Sequence, residues 1–507
     1  MTIKQPNILF IMADQMAASA LSVYGHPIVK TPHLDKLANE GVVFDSAYCN
    51  SPLCAPSRYT LMTGQLPSKI GAYDNAADFP ADIPTFAHYL RAQNYQTALS
   101  GKMHFCGPDQ LHGFEERLTT DIYPADYGWF PNWDDLKTRP TWYHNMSSVT
   151  QAGPCVRSNQ LDFDDEVAFH AQRYLFDYVR SNQDRPFCLT VSMTHPHDPY
   201  AIAQEYWDRY KDEEIDLPKV AISKADQDPH SARLQAVYAY HDQDISEQQI
   251  RNARRAYYGA ISYVDDKIGL LLKTLQDTGL DDNTIIVFSG DHGDMLGERN
   301  LWYKMSFFEG SARVPMIVHA PKHFSAKRVK ESVSTMDLLP TFLDIATNRQ
   351  DHTYAMPIQG QSLMPHLKGL EGGHDEVIGE YFGEGTIAPL FMIRRGQYKY
   401  IYCQADPEQL FDLENDPQEL TNLATNPGFS DQLNTFRQEA IGRWDSDKLT
   451  QEVLVSQRRR RLIVKSMNTG KKTPWDHQPI FDSSEMYMRN HIDLDVLEQR
   501  SRFPKVS

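Results

Sequence analysis

In the stretch SPLCAPSRYTLMTG, residues 51–64, Cys54 stands between two prolines, three residues before Ser57 and four before Arg58, ahead of Thr63-Gly64. Other ionisable residues come in short clusters, each directly after an apolar run: Asp14-Gln15, Lys102 with His104, His195 with His197 and Asp198, and Asp291-His292; Lys304 follows in LWYKMSFFEG. Together these types supply what cleavage of an anionic ester demands: cations to neutralise the attacked group, a nucleophile, and a proton for the leaving oxygen. Taken singly each has a plainer role, Asp14 as a strand-end cap, His104 as a packed imidazole, Lys304 as a surface charge. Recurrence at four strand ends favours the joint reading.

The runs that carry these clusters are NILFIM (Asn7 to Met12), QTALS (Gln96 to Ser100), CLTVSM (Cys188 to Met193) and TIIVFS (Thr284 to Ser289), with VPMIVH (Val314 to His319) as one more buried strand. Between them, Pro84 to Gln93 and Arg251 to Gln276 space their apolar residues at threes and fours, the second through Ala256, Ile261, Val264, Ile268, Leu271 and Leu275. Strands alternating with helices predict an α/β class: a large, mostly parallel sheet sandwiched by helices. Ligands of such sheets bind beyond the carboxyl ends of the strands, where these clusters lie.

The chain has 507 residues, and its 50 basic against 67 acidic residues leave a net charge of −17, which speaks against a nucleic-acid partner. The first apolar run, Ile8 to Ala13, is too short for a signal-peptide core or a membrane span, and no later segment reaches span length. Six cysteines without CxxC pairs give neither a disulfide framework nor a structural zinc site. The expectation is a cytoplasmic protein without a membrane partner.

Three units are expected: a catalytic domain over 1–370, a small α+β domain over 371–470, and a tail over 471–507. FMIRRGQYKYIYC alternates as an antiparallel hairpin turning at Arg395-Gly396, Phe411 to Ala424 reads as an Asp-Pro turn feeding a capped helix, and Gln432 to Trp444 continues the helical pattern. Arg458 to Arg461 reads as a solvated or intersubunit salt-bridged helix face and carries no site. The tail, with Trp475, Phe481, Tyr487 and Phe503, is rich enough in aromatics to dock, on its own subunit or another.

Cys54-Ala55-Pro56-Ser57-Arg58 with Thr63-Gly64 resembles the sulfatase signature C-x-P-S-R-x-x-x-x-T-G, and the strand-end clusters follow in that family's order over most of the chain. The resemblance is to the type I formylglycine sulfatases of the alkaline phosphatase superfamily. Two departures, Gln15 where many sulfatases have a second aspartate and His292 where many have asparagine, are similar to the branch that contains choline sulfatases and phosphonate monoester hydrolases. The segments Gly107 to Trp129 and Thr194 to Tyr200 resemble the choline sulfatases in that branch. This implies an alkaline-phosphatase-like fold and hydrolysis of choline sulfate to choline and sulfate. Phosphonate monoester or phosphodiester hydrolysis is the alternative, and non-catalytic binding of a sulfated ligand follows if Cys54 stays unmodified.

The resemblance further implies that a maturase oxidises Cys54 to formylglycine, whose hydrate attacks sulfur and keeps a second hydroxyl for the release of sulfate. Asp14, Gln15, Asp291, His292 and residue 54 are the implied metal set. Its oxygens suit calcium, and His292 leaves magnesium or manganese open. Arg58 would hold the nucleophile, Asp291 help deprotonate it, Lys102 and Lys304 bind sulfate oxygens, His104 act as base and His197, rather than His195, as acid. For the substrate, Trp129 offers a cation-π face, Asn75 and Asn145 polar contacts to sulfate, and Glu380 a carboxylate. Asp495, or Asp493 beside it, would add another from a tail docked on a neighbouring subunit, in a homo-oligomer of two or four chains.

Overall fold

The computed structural model describes residues 5–123, 126–181, 184–349, 351–471 and 496. Its strands in chain order are β1 (Asn7–Asp14), β2 (Val42–Tyr48), β3 (Gln96–Gly101), β4 (Glu116–Arg117), β5 (Gly153–Cys155), β6 (Phe187–Pro196), β7 (Ala201–Ala203), β8 (Thr284–Gly290), β9 (Met316–His319), β10 (Lys327–Ser334), β11 (Glu376–Tyr381), β12 (Leu390–Arg395), β13 (Tyr398–Cys403) and β14 (Gln409–Asp412). Eight of them form one sheet in the order β10-β2-β9-β8-β1-β6-β3-β4. β1, at its centre, runs parallel to β6 and β8, and only β9 runs antiparallel to its neighbours, so the α/β sheet is mostly parallel, as expected.

All eight residues of β1 are buried, which its apolar run requires of a strand covered on both faces. Phe10 meets the edges of Phe86 and Phe342 on one side, from the helices Phe86–Ala92 and Leu338–Thr347. The long helices Asn159–Arg180 and Glu247–Thr278 pack against β6. The second is bounded by a Ser246–Gln249 capping box and by Gly279, whose φ of 68° suits a residue without a side chain.

The C-terminal region adds an antiparallel sheet, β11-β12-β13-β14, with the hairpin between β12 and β13 at the predicted turn. Its faces split with period two: Leu390 and Met392 join the main core, while Phe391 and Ile393 face a second core with Phe436, Ala440 and Trp444. That second core also takes in Tyr73 and Trp133 from far upstream, so the two sheets are sewn together by packing.

The capped helix expected over Phe411 to Ala424 does not form. Phe411 lies on β14, and the polar residues after it bond locally instead of starting a helix: Asp412 accepts from the backbone N–H of Glu414 and Asn415, and Asp416 from that of Thr421. The helix begins later, at Ser430–Arg443, and is followed by Ser446–Met467. Arg460 on this last helix is not solvated but buried in a forked ion pair with Asp74 of the same chain. The tail expected over 471–507, including Asp493 and Asp495, lies outside the described residues except for 471 and 496.

Candidate active site

The signature stretch is one buried helix, Cys54–Thr63, whose first residue is the cysteine and whose end is closed by Gly64 at φ 65°, with the Gly64 N–H donated to Thr60 O. Every residue of the helix is buried, and Cys54 takes the end where unpaired N–H groups and the helix dipole favour an anion. Arg58 explains why strand ends gather here. Its guanidinium donates to Asp291 Oδ2 at 2.9 Å, to Ser192 Oγ at 2.9 Å and to the carbonyl of Lys102, and it sits 3.7 Å from Asp14 Oδ2. One side chain therefore ties together the ends of β1, β3, β6 and β8.

Around the Cys54 sulfur lie His292 Nε2 at 3.2 Å, Lys102 Nζ at 3.6 Å and Asp14 Oδ1 at 3.8 Å. Burial pushes the thiol up, but Lys102, Lys304 and His292 outweigh it and, with His104, hold it well below the usual thiol range. Lys102 also contacts Asp14 Oδ2 and lies 4.1 Å over the Tyr123 ring. Asp14 is held low despite its burial, by Lys102, His197 and Arg58, whereas Asp291 is pushed up by burial and by Asp14, against Arg58. His104 has a positive φ of 59°, and its two ring nitrogens are buried with no close hydrogen bond among the described residues, its one interaction of note being with Cys54.

Ligand atoms of Asp14, Cys54, Asp291 and His292 all lie within 4.8 Å of one another, and all four residues are buried. Two carboxylates and an imidazole concentrated in this way fit a divalent cation. Gln15 differs from expectation: its Oε1 accepts from Lys304 Nζ at 2.7 Å while its Nε2 donates to Asp294 Oδ2 at 2.6 Å. An ammonium only donates, so the amide oxygen is the atom that Lys304 holds, while the Gln15 backbone N–H donates to Asp291 Oδ1 at 2.9 Å.

Lys304 Nζ also lies 2.8 Å from His197 Nε2, and His197 Nδ1 lies 2.6 Å from the carbonyl of Asp198. For the same reason Nε2 is the acceptor and the imidazole proton sits on Nδ1, donated to Asp198 O. His195 points elsewhere, its Nδ1 bonded to Asp164 at 2.7 Å.

A model of the sulfatase family matches residues 6–348 of this chain. The chain belongs to the sulfatase family. The model for the C terminus of choline sulfatase matches residues 451–503, and that for the C terminus of N-sulphoglucosamine sulphohydrolase residues 297–442. The choline-sulfatase of Rhizobium meliloti (strain 1021) is 48% identical over 513 residues, covering 100% of both chains. An arylsulfatase of Clostridium perfringens is 29% identical, covering 86% of this chain and 94% of its own. Among solved structures, the phosphonate monoester hydrolase of Agrobacterium radiobacter superposes with a TM-score of 0.70 at 24% identity, covering 86% of this chain and 95% of its own, which speaks for the fold alone.

The sulfatase site continues into an aromatic wall. Trp129 meets Tyr123 edge-on at 5.4 Å and His104 at 6.0 Å, which places it beside Cys54's surroundings. Asn75 accepts the Ala55 N–H at 3.0 Å and so caps the Cys54 helix. Asn145 is exposed and its Oδ1 accepts from Ser147 N; its neighbour His144 turns inward, 4.8 Å from the Tyr303 ring and 6.3 Å from His197. Burial and Lys304 push His144 down to about 3, so it is neutral and offers a face rather than a charge.

Glu380 also differs from expectation. Its oxygens accept from Ser68 N, Ser68 Oγ and Trp444 Nε1 at 2.7 to 2.8 Å, a closed structural arrangement. The carboxylate that senses Cys54 and Lys304 is Glu384, buried beside Tyr381. Burial raises it to about 7, with Asp74 and Cys54 adding to the rise and Lys304 opposing it. An alternating strand followed by a Gly-rich loop contains both glutamates, Glu380 on the strand and Glu384 in the loop against the Tyr381 hydroxyl.

Glu384 makes a pH prediction. Unfolded, it titrates near 4.5, and folded near 7, so the folded chain holds the extra proton between these values. Its stabilising contribution is complete below 4.5 and lost as pH rises through 7, about 3 kcal/mol in all. The Glu384→Gln variant should therefore gain thermal stability over the parent at pH 8 but not at pH 4.5. A melting-temperature difference that does not change with pH contradicts the assignment.

Proposed function

We propose that this sulfatase hydrolyses choline sulfate to choline and sulfate. The observation that carries the reading is the end-to-end identity to a choline-sulfatase, joined to an aromatic wall and a buried carboxylate beside a cluster of anion-binding cations.

Formylglycine, made from Cys54 by a generating enzyme, would supply as its hydrate one hydroxyl as nucleophile and a second whose deprotonation expels sulfate. A divalent cation held by Asp14, Asp291, His292 and residue 54 would supply Lewis-acid neutralisation of the sulfate; calcium suits the carboxylates, and magnesium or manganese fit the same donors. The chain's own groups do the rest. Lys102 and Lys304 neutralise sulfate oxygens from two sides, and Arg58 fixes the strand ends so that neither lysine relaxes away. His104, whose one interaction of note is with Cys54, is placed to take a proton at residue 54. His197 and Lys304 together would protonate the leaving alkoxide: Nζ passes a proton through Nε2 to oxygen, the neutral Lys304 amine is reprotonated from solvent after choline leaves, and Lys102 carries the charge on sulfate meanwhile. Trp129, Tyr123 and His144 face the ammonium group, with Glu384 as counter-charge.

A cytoplasmic homo-oligomer of two or four chains, with Asp495 or Asp493 reaching a neighbour's pocket, belongs to the same proposal. So does the division at residues 370 and 470.

The test compares kcat/KM for choline sulfate with that for its uncharged carbon analogue, 3,3-dimethylbutyl sulfate, and with phosphonate monoesters. Choline sulfate should be preferred over both. Trp129→Ala should raise KM for choline sulfate by about 10-fold. Equal turnover of the uncharged analogue overturns the choline reading, and faster turnover of phosphonates favours the alternative.

A further inference from the structure

The four consecutive arginines at 458–461 have no part in the chemistry above, yet three of them grip the pocket. We propose that the helix Ser446–Met467 is a clamp that sets the position of the Trp129 segment, with Arg460 as a positioning residue for recognition of the substrate's cationic end. The inference rests on the choline sulfate reading.

Residues 126–135 contain neither helix nor strand, so their place depends on side-chain anchors. One anchor is Tyr127, whose hydroxyl donates to Asp78 Oδ1 at 3.1 Å; the others named here come from the clamp helix. Arg460, 2% exposed, forks onto Asp74 with Nη1–Oδ1 at 2.5 Å and Nη2–Oδ2 at 2.8 Å, and its guanidinium lies 4.7 Å from the centre of the Phe130 ring. Gln457 Oε1 accepts the Trp133 N–H at 2.9 Å. On the outer side Arg458 donates to Asp134 at 2.6 and 3.0 Å, and Arg461 donates to Asn132 Oδ1 and Asp134.

The inner side of the same segment is the pocket wall. Trp129 precedes Phe130 and presents its edge to His104 and Tyr123. Asp74, the other end of the Arg460 fork, precedes Asn75, which caps the Cys54 helix. A planar guanidinium that forks onto a carboxylate and stacks on a ring thus joins the wall of the ammonium pocket to the loop at the nucleophile. An ordered wall needs no ordering when the ligand arrives, which is affinity gained without a direct contact. The clamp helix lies beyond residue 348, where the general sulfatase match ends, and its second half falls in the segment matched by choline sulfatase C termini.

The matured full-length enzyme tests this. Arg460→Met should raise KM for choline sulfate by about 10-fold and leave KM and kcat for 3,3-dimethylbutyl sulfate within about 3-fold. Arg460→Lys, which keeps the charge without the fork, should fall between parent and Arg460→Met. Hydrogen exchange should quicken over 126–137 and not over the Cys54 helix. If Arg460→Met fails to fold because Asp74 is left buried and unpaired, the double variant Arg458→Ala with Arg461→Ala, at an exposed and a half-buried position, decides. It should raise KM for choline sulfate by about 3-fold or more, quicken the same amides, and leave the melting temperature unchanged. Equal shifts for both substrates, or unchanged exchange over 126–137, overturn the clamp. A parent enzyme that does not prefer choline sulfate overturns the function reading instead, and the exchange measurement still decides the clamp.

Discussion

Sulfate release from choline sulfate falls by at least about 10⁴-fold when Cys54 is replaced by alanine, because the variant loses the nucleophile while the cations that bind sulfate stay in place. Cys54 is the first residue of a fully buried helix, with His292, Lys102 and Asp14 within 3.8 Å of its sulfur. No other side chain described at that point offers a nucleophile on the same axis. Cys54→Ser separates the steps: a hydroxyl can attack once, but has no second hydroxyl to expel sulfate. The serine variant should accumulate as a sulfated adduct, visible in the intact mass after incubation with substrate. In the parent, the fraction of residue 54 converted to the aldehyde should track kcat from one preparation to the next. An alanine variant with more than about 1% of parental kcat overturns the assignment.

His197→Gln should lower kcat for choline sulfate by about 10² to 10⁴-fold and lower that for nitrophenyl sulfate less than 10-fold. The reason is the leaving group. Choline leaves as a basic alkoxide that needs a proton as the bond breaks, whereas nitrophenolate leaves unaided. In the folded chain Lys304 Nζ donates to His197 Nε2 at 2.8 Å, the contact through which the proposed proton transfer would run. Glutamine keeps much of the size of the imidazole and can bond Asp198 O and Lys304, so the fold is retained. Single-turnover rates for the two esters across pH provide the measurement. Equal losses on both esters would place His197 in binding, not in proton transfer.

The strands and long helices were legible because buried parallel strands are apolar throughout and amphipathic helices repeat at 3.6 residues, both local properties. Phe411 to Ala424 misled for an equally local reason: Asp-Pro followed by helix-forming residues looks like a helix start, but Asp412, Asp416 and Asn422 satisfy backbone N–H groups in turns instead. Arg460 looked solvated because neighbouring arginines usually are. Its partner, Asp74, lies 386 residues away in sequence.

The site divides in the same way. Cys54 with its Pro, Ser, Arg and Thr-Gly companions is a contiguous helix with its cap, and every member of it could be read in order. Gln15 against Lys304, His144 against Asn145, and Glu384 against Glu380 could not be separated from the chain alone. Each choice turns on which way a loop delivers adjacent or nearby side chains, and non-local packing sets that.

The Cys54 helix and the strand-end clusters are readable in the chain, because residue type, spacing and periodicity are local properties. What needed the tertiary structure is that Arg58 bundles four strand ends, that Lys304 bonds the Gln15 oxygen, that Glu380 is closed off by Ser68 and Trp444, and that Arg460 forks onto Asp74. Those facts are relations between residues far apart in the chain, and burial is what converts each of them into a directed, unscreened interaction.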